Sequence, residues 1–480
     1  MTSPRHQART SESHALRPVR RSAGPHSASP LLADPVPADS DDGALTRPEA
    51  LLGSPLRPLS SASGGLLERA VRGRLERLVH GSLTLRSGSS DGSVHEVRYG
   101  QAAGVDASGH ADGIAEIHDE RFWSAIALRG SVGAGEAYAF GWWTSPEPTD
   151  VVRVFVANHT ALEGLERGLA RLSLPLLKAY HLVRDNTRKG SARNIAAHYD
   201  LSNEFFGLFL DPTMTYSSAV FEHPDATLEE AQLAKIDRLC ERLALGPDDH
   251  LLEIGTGWGG FAIRAASKFG CRVTTTTISK QQHTFASERV DAAGLGDRID
   301  VRLADYRDLE GQYTKIVSVE MIEAVGARHY RSYFKTCERL LVPGGAFACQ
   351  AITIHDRHFE RARKAVDFIQ RHIFPGSCIP SVTSLTDAAR EASDFRLVHM
   401  EDIGEHYAPT LRLWRDRMRA HWSEAQALGF DDDFLRLFDF YFAYCEGGFI
   451  ERHISVGHLV FAREGRHFSP PIAAQLLRDD

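Results

Sequence analysis

Cysteine is scarce in this chain and poorly spaced for metal or disulfide work. The six in 480 residues (Cys240, Cys271, Cys337, Cys349, Cys378 and Cys445) form no CxxC pair. That argues against a zinc knuckle and against a disulfide framework, and it fits a reducing compartment. No run approaches the roughly 18 apolar residues of a membrane span, and the N-terminus lacks the apolar centre of a secretory signal. Basic excess is missing too: a net charge of −8 argues against general nucleic-acid binding, which replaces counterions with a basic surface. His198, His329, His355, His358 and His372 show no HExxH-type spacing, so no metal is expected. These absences point to a cytoplasmic protein that meets a membrane only peripherally, at its inner face.

Aromatic residues are sparse in residues 1–63, which are rich in Ser, Pro, Ala and Arg. Such a segment buries too little apolar area to offset chain entropy, and a disordered tail is expected. Order is expected from LLERAVRGRLERLV (66–79), where Leu67, Val71, Leu75 and Leu78 share a helical face. Arg69, Arg72, Arg74 and Arg77 occupy much of the rest. A surface helix packed on its own domain is the first reading of that pattern, and a helix lying near anionic lipid is the second. Short alternating pieces from SLTLRS to GEAYAFGWW, then a helix over 150–172, suggest a small α+β domain at 64–182. A polar linker follows at 183–193.

From 194 to 465 strands and helices alternate: LLEIG, FAIRAASKF, RVTTTTIS, QQHTFASERVDAAG, then IDVRLADY, KIVSVEM and GAFACQAIT. This is the rhythm of a parallel sheet covered on both faces, an α/β Rossmann-like architecture. A mostly helical insert is expected at 355–450, then the strand HISVGHLVFAR and a tail at 466–480.

The first strand ends in Gly255-Thr-Gly257-Trp-Gly259-Gly260 and opens a helix. Glycines there allow a ligand close to bare backbone and free helix N–H groups. The pattern G-x-G-x-x-G alone is weak evidence. A nicotinamide site places an acid at the end of the second strand, and here that strand ends Thr275-Thr276-Thr277-Ile278-Ser279. The acid, Glu253, precedes the glycines instead. A carboxylate there suits a cationic ligand, which favours S-adenosylmethionine over NAD. ADYRDL (304–309) follows the third strand, where an adenine would dock.

At these residues the sequence resembles the cyclopropane-fatty-acyl-phospholipid synthase family of S-adenosylmethionine-dependent methyltransferases. NIAAHYDLSNEFFGLFLDPTMTYSSAVF (194–221), LLEIGTGWGG, TTISKQQ, ADYRDL, VSVEMIEAVG, DFIQRHIFPGSCIPS and HYAPTLRLW occur in the family's order. The resemblance implies a class I methyltransferase sheet with a helical lid. It implies cofactor contacts from Tyr216, Ser217, Gly255, Gly257, Thr277, Gln282, Asp305 and Tyr306, beside Glu253. It implies a catalytic pocket with Glu323, Tyr407, Gln350, Ser218 and Cys445. Ser218 stands where many members have Cys, and Gln350 where many have His. TYSSA, EMIEAVG and the Gln are similar to plant-type synthases and to actinobacterial enzymes that install a mid-chain methyl or methylene group.

The implied reaction moves a methyl(ene) group from S-adenosylmethionine to the cis double bond of an unsaturated phospholipid chain, with a cyclopropane as the expected product. A methylene or methyl branch is the alternative. Water must be kept from the cation, the alkene held in line, and a proton removed. Bicarbonate, organised by Glu323, Gln350 and Tyr407, is a candidate bound base. Tyr216 and Tyr407 are candidates to face the cation; Phe205, Phe206 and Trp414 read as core. Cys445 reads as a pocket-lining residue, since the alkene is itself the nucleophile. The expected partner is unsaturated phospholipid at a membrane surface, with a homodimer as a candidate assembly. The rival readings are a small-molecule N- or O-methyltransferase, a non-catalytic binding protein and a nicotinamide oxidoreductase.

Overall fold

A computed structural model describes residues 61–88, 93–101, 109–160, 162 and 202–465. The predicted linker at 183–193 and C-terminal tail, most of the predicted N-terminal tail and residues 163–172 of the predicted helix lie outside these residues.

The first helix, α1 (Ser61–Leu75), begins ahead of the predicted 66. Val71, Leu75 and Leu78 are buried, and Leu67 packs against the same core. Four strands follow in the order β2-β1-β3-β4: β1 (Ser82–Gly88), β2 (Val94–Gly100), β3 (Asp112–Ile117) and β4 (Trp143–Thr144). β3 runs parallel to β1, and the other pairings are antiparallel. Alternation in β3 buries Gly113, Ala115 and Ile117 on one face. The pieces leading to GEAYA, read as short alternating segments, instead form helix α2 (Arg121–Ala139), bent where Gly130 takes φ 55°. Helix α3 (Pro148–Ala157) has Pro at its first position and is capped by Glu147, whose carboxylate accepts from the Thr149 N–H.

The large sheet has the order β10-β11-β9-β8-β5-β6-β7. β5 (His250–Ile254), β6 (Arg272–Thr277), β7 (Ile299–Leu303), β8 (Tyr313–Val319) and β9 (Leu341–Ile354) are parallel neighbours. β11 (Ile454–Ala462) lies antiparallel to β9 and carries β10 (Arg396–Asp402) on its outer side. Helices α4 (Leu228–Arg242), α5 (Gly260–Phe269), α6 (Lys280–Ala292) and α7 (Tyr330–Leu340) connect and cover the parallel strands. The strand order reverses beside β5, between β6 on one side and β8 on the other. Ligands in open α/β sheets bind at such a switch, outside the strands' carboxyl ends.

The predicted insert is mostly helical, as expected, but also contains a strand. It holds α8 (Asp356–Ala362), then α9 (Val382–Ala392), which leads into β10, then α10 (Tyr407–Ala420) and α11 (Asp432–Ile450). The β10 strand was missed because its burial is shallow: Leu397, Val398 and Met400 are all exposed, so no buried apolar run marks it.

Helices α10 and α11 pack on the small sheet's helices through a buried polar network. Arg415 is fully buried; it donates to Glu147 (2.6 Å), Thr149 (2.9 Å) and Asp439 (3.0 Å). Asp439 also accepts from Arg419 (2.6 Å) and from the Tyr138 hydroxyl (2.8 Å). The network ties α2 and α3 to the helices that roof the large sheet.

Candidate active site

The carboxyl ends of β5, β6 and β8 open into one cavity of about 660 Å3, within the size range of cofactor and ligand pockets. All nine predicted cofactor-contact residues line it: Tyr216, Ser217, Glu253, Gly255, Gly257, Thr277, Gln282, Asp305 and Tyr306. Gly255 (φ 106°) and Gly257 (φ 51°) hold the turn in backbone conformations that other residues rarely adopt. Ser279 caps α6 by accepting from the Gln282 N–H, and the Thr277 hydroxyl donates to Gln282 Oε1 (2.8 Å). This fixes the end of β6 as a polar shelf. Asp305 is paired with Arg307 (2.9 Å from Nε), so its carboxylate reaches the cavity already neutralised.

Glu253 is buried, and its Oε2 has no hydrogen-bond partner among the described residues. Burial pushes its carboxyl up to about 8. A cation placed at that oxygen restores the ionised form, so the site has the chemistry to hold an ammonium. With the glycine turn, it fits the amino-acid end of S-adenosylmethionine.

Beyond β8 lies the second half of the cavity. Glu320, Glu323, Tyr407 and Cys445 line it. Glu323 Oε1 accepts from the Ile352 N–H (2.6 Å), while Oε2 is buried without a partner among the described residues. Burial, then the neighbouring Glu320 charge, pushes the Glu323 carboxyl up to about 8. Cys445 sits in the wall. Burial pushes its thiol well above the ordinary range, so it offers no thiolate.

Gln350 and Ser218 were expected at the pocket face. Both are fully buried behind it and neither lines the cavity. They serve Glu320, which sequence reasoning did not single out. Glu320 Oε1 accepts from the Ser218 N–H (2.9 Å) and from Gln350 Nε2 (2.8 Å), and Oε2 accepts from the Tyr407 hydroxyl (2.8 Å). Gln350 and Tyr407, expected to organise a bicarbonate, are thus both turned onto a carboxylate of the chain itself. The Ser218 hydroxyl donates to the Ala219 carbonyl (3.1 Å), so this residue contributes its main chain. Glu320 holds φ 47°, a left-handed conformation uncommon for a long side chain and typical of strain kept at a functional position.

The support extends one residue further. Gln350 Oε1 lies 2.9 Å from His458 Nε2. Since the Gln350 amide nitrogen faces Glu320, its oxygen must accept, which fixes the histidine proton on Nε2. Burial and the charges of Lys235 and nearby arginines push His458 down to about 3, so it stays neutral. Lys235 is also fully buried and donates to Ser217 Oγ (2.7 Å). Burial lowers its ammonium to about 8 against the pull of Glu320, Asp211 and Glu253.

Aromatic rings form the remaining wall. The Tyr216 hydroxyl is 2.9 Å from that of Tyr441, and the Tyr216 ring lies 5.1 Å from Trp414. Phe205, Phe206 and Trp414 are fully buried core, as read. Further from the sheet the cavity is lined by Leu75, Leu83, Phe122, Ile126 and Val152 of the small domain, which makes it long and apolar.

Residues 186–459 match the family described as mycolic acid cyclopropane synthetase. The chain is 39% identical over 422 residues to tuberculostearic acid methyltransferase UfaA1 of Mycobacterium tuberculosis, covering 86% of this chain and 94% of that protein. It is 34% identical over 374 residues to the cyclopropane-fatty-acyl-phospholipid synthase of Escherichia coli, covering 75% and 91%. Among solved structures it is similar to mycolic acid cyclopropane synthase CmaA1 complexed with SAH and CTAB, at 33% identity and a TM-score of 0.53, over 57% of this chain and 98% of that one. The chain belongs to the mycolic acid cyclopropane synthetase family and is an S-adenosylmethionine-dependent methyltransferase.

Proposed function

We propose that this enzyme adds one carbon across the cis double bond of an unsaturated phospholipid acyl chain and closes it to a cyclopropane. The observation that carries the reading is a single cavity, polar at the glycine turn, apolar along the small domain, with the Glu320 carboxylate between. A methyltransferase for a small polar amine or alcohol has no use for that apolar length.

S-adenosylmethionine supplies a methyl group on a sulfonium centre. The chain does the rest. Glu253 and the Gly255–Gly257 turn hold the cationic amino-acid end, and the apolar lining positions the alkene and excludes water. The alkene's π pair would bond to the methyl carbon as its bond to sulfur breaks, that bond's electrons leaving on the neutral thioether, and a cation would remain on the neighbouring alkene carbon. Tyr216, Tyr407 and Tyr441 line its surroundings; each aromatic face stabilises a cation by roughly 0.5–2 kcal/mol. Glu320 Oε2 accepts one hydrogen bond from Tyr407 and retains a lone pair for a proton. It takes that proton from the newly added carbon; the C–H electron pair closes the ring and an O–H bond forms on Glu320. A built-in carboxylate thereby does the work expected of bicarbonate.

A second reading follows from similarity to the tuberculostearic acid methyltransferase over more of the chain than to the E. coli synthase. If a hydride first shifts from the methyl-bearing carbon to the cationic carbon, the proton that Glu320 takes from the added methyl leaves its C–H electron pair in a C=CH2 bond, and a methylene branch forms instead of the ring. Expression in a host without its own synthase, followed by proton NMR of the fatty-acid esters, tests both. Upfield ring protons support the cyclopropane, olefinic methylene protons support the branch, and unmodified chains reject the proposal.

A further inference from the structure

Three histidines far apart in sequence meet at one edge of the cavity. His159 follows α3, His358 lies on α8 and His453 sits in the turn between α11 and β11. Their ring centroids form a nearly regular triangle of 5.1, 5.2 and 5.2 Å. One ligand nitrogen from each falls within 4.8 Å of the others. All three are partly buried and line the same cavity as the active site.

The hydrogen bonding selects a ligand atom on His159. Its Nδ1 lies 3.0 Å from the Val156 carbonyl. A carbonyl only accepts, so Nδ1 carries the proton and Nε2 keeps the lone pair, which now faces the exposed Thr160 hydroxyl at 3.3 Å and is released when that hydroxyl turns to solvent. An imidazole anchored to a backbone carbonyl in this way is the usual outer support of a metal-bound histidine. Around a tetrahedral ion with bonds of about 2.0–2.1 Å, nitrogens stand about 3.3 Å apart. The observed spacing of up to 4.8 Å exceeds that by no more than about 1.5 Å. The Arg357 side chain, exposed, donates to His358 Nε2 (3.1 Å); it swings into solvent, or His358 binds through Nδ1.

We propose that His159, His358 and His453 form a binding site for a divalent transition metal of the zinc class. Neutral imidazole is a good donor to zinc, copper and nickel, whereas magnesium and calcium prefer oxygen. Three protein ligands leave a fourth position for water or an anionic oxygen entering from the cavity. Because the ligands come from the small domain, the lid and the sheet, the ion staples these parts together at the cavity's edge. The pattern escapes sequence reading because no two of the ligands are close along the chain.

Metal binding is measured on the full chain without lipid or S-adenosylmethionine, so its outcome is separate from that of the catalytic reading. After chelation and dialysis, zinc binding is followed by calorimetry and by elemental analysis. One equivalent per chain is expected, with affinity at least tenfold weaker in His159→Ala, His358→Ala and His453→Ala. His223→Ala, at an exposed position outside the cluster, should bind like the parent. Cobalt gives a readout that needs no variant: the intense visible absorption of four-coordinate cobalt is expected. Absence of binding, equal affinity in the cluster variants and the parent, or only the weak spectrum of six-coordinate cobalt would overturn the site.

Discussion

At the scale of single residues, the proposed mechanism turns on Glu320. Replacing it with Gln keeps the volume and removes the base. Glu320→Gln is expected to lower turnover by at least about 100-fold, the range for loss of a positioned general base, while calorimetry shows S-adenosylmethionine binding unchanged. A parent-like rate would remove Glu320 from the mechanism. The acid limb of the rate profile follows. Burial raises the Glu320 carboxyl above its ordinary range, and the bonds from Ser218, Gln350 and Tyr407 restrain that rise. A base must be ionised, so activity should fall as pH falls through the raised value. Gln350→Leu removes one restraint and should move the acid limb to higher pH; an unmoved limb would mean that Gln350 does not act through Glu320.

Glu323 makes a stability statement. Its carboxyl is raised from 4.5 to about 8 in the fold. The sign is that of a raised group: its stabilisation is complete below the unfolded value and is lost as pH rises through about 8. Glu323→Gln should therefore flatten the fall in stability between pH 5 and 9, read from denaturant midpoints at several pH values. The same slope in both proteins would deny Glu323 its elevated pKa. In the sequence, Glu323 was found through its place in MIEAVG, but Glu320, Lys235 and His458 were not. Each is a polar residue set inside an apolar pattern: the end of IVSVE, the buried face of α4, the middle of SVGHLVF. A buried polar residue in such a place is the signal that could have exposed them. Their partnership was invisible because its members lie far apart along the chain; Ser218 and Gln350 alone are 132 residues apart.

At the scale of elements, the Arg415–Asp439 network joins α10 and α11 to the small domain. Asp439→Ala leaves Arg415 and Arg419 without their shared carboxylate and the Tyr138 hydroxyl without an acceptor. Breaking a buried pair by removing one partner costs about 3–5 kcal/mol, so a loss of that size is expected in denaturant titrations. A change under about 1 kcal/mol would show that the remaining groups find other partners. The parallel strands were legible because each is an apolar run bounded by turn residues and followed by an amphipathic helix. The edge was not. β10 exposes much of its side-chain surface, and α2 reads ambiguously because Gly130, Gly133 and Gly135 dilute its helical signal.

At the scale of the whole molecule, lipid must reach a cavity inside a chain whose described helices include none long and apolar enough to cross a membrane. The surface of α1 and its following turn is the docking face we propose: Leu66 and Val79 are 63% and 67% exposed, and Arg69 and Arg77 are exposed on the same stretch. Arg72 is not available, since it donates to Tyr99 and stacks over Trp123. Arg69→Glu with Arg77→Glu should weaken sedimentation with anionic vesicles, because each basic residue near such a surface contributes about 1 kcal/mol. Unchanged sedimentation would place the docking face elsewhere. The most direct test of the whole account uses purified protein, S-adenosylmethionine carbon-13 labelled in its methyl group, and vesicles of a monounsaturated phospholipid. NMR of the recovered acyl chains should show the labelled carbon bonded at the former double bond. Label that never enters the chains, although the protein binds the donor, would contradict it.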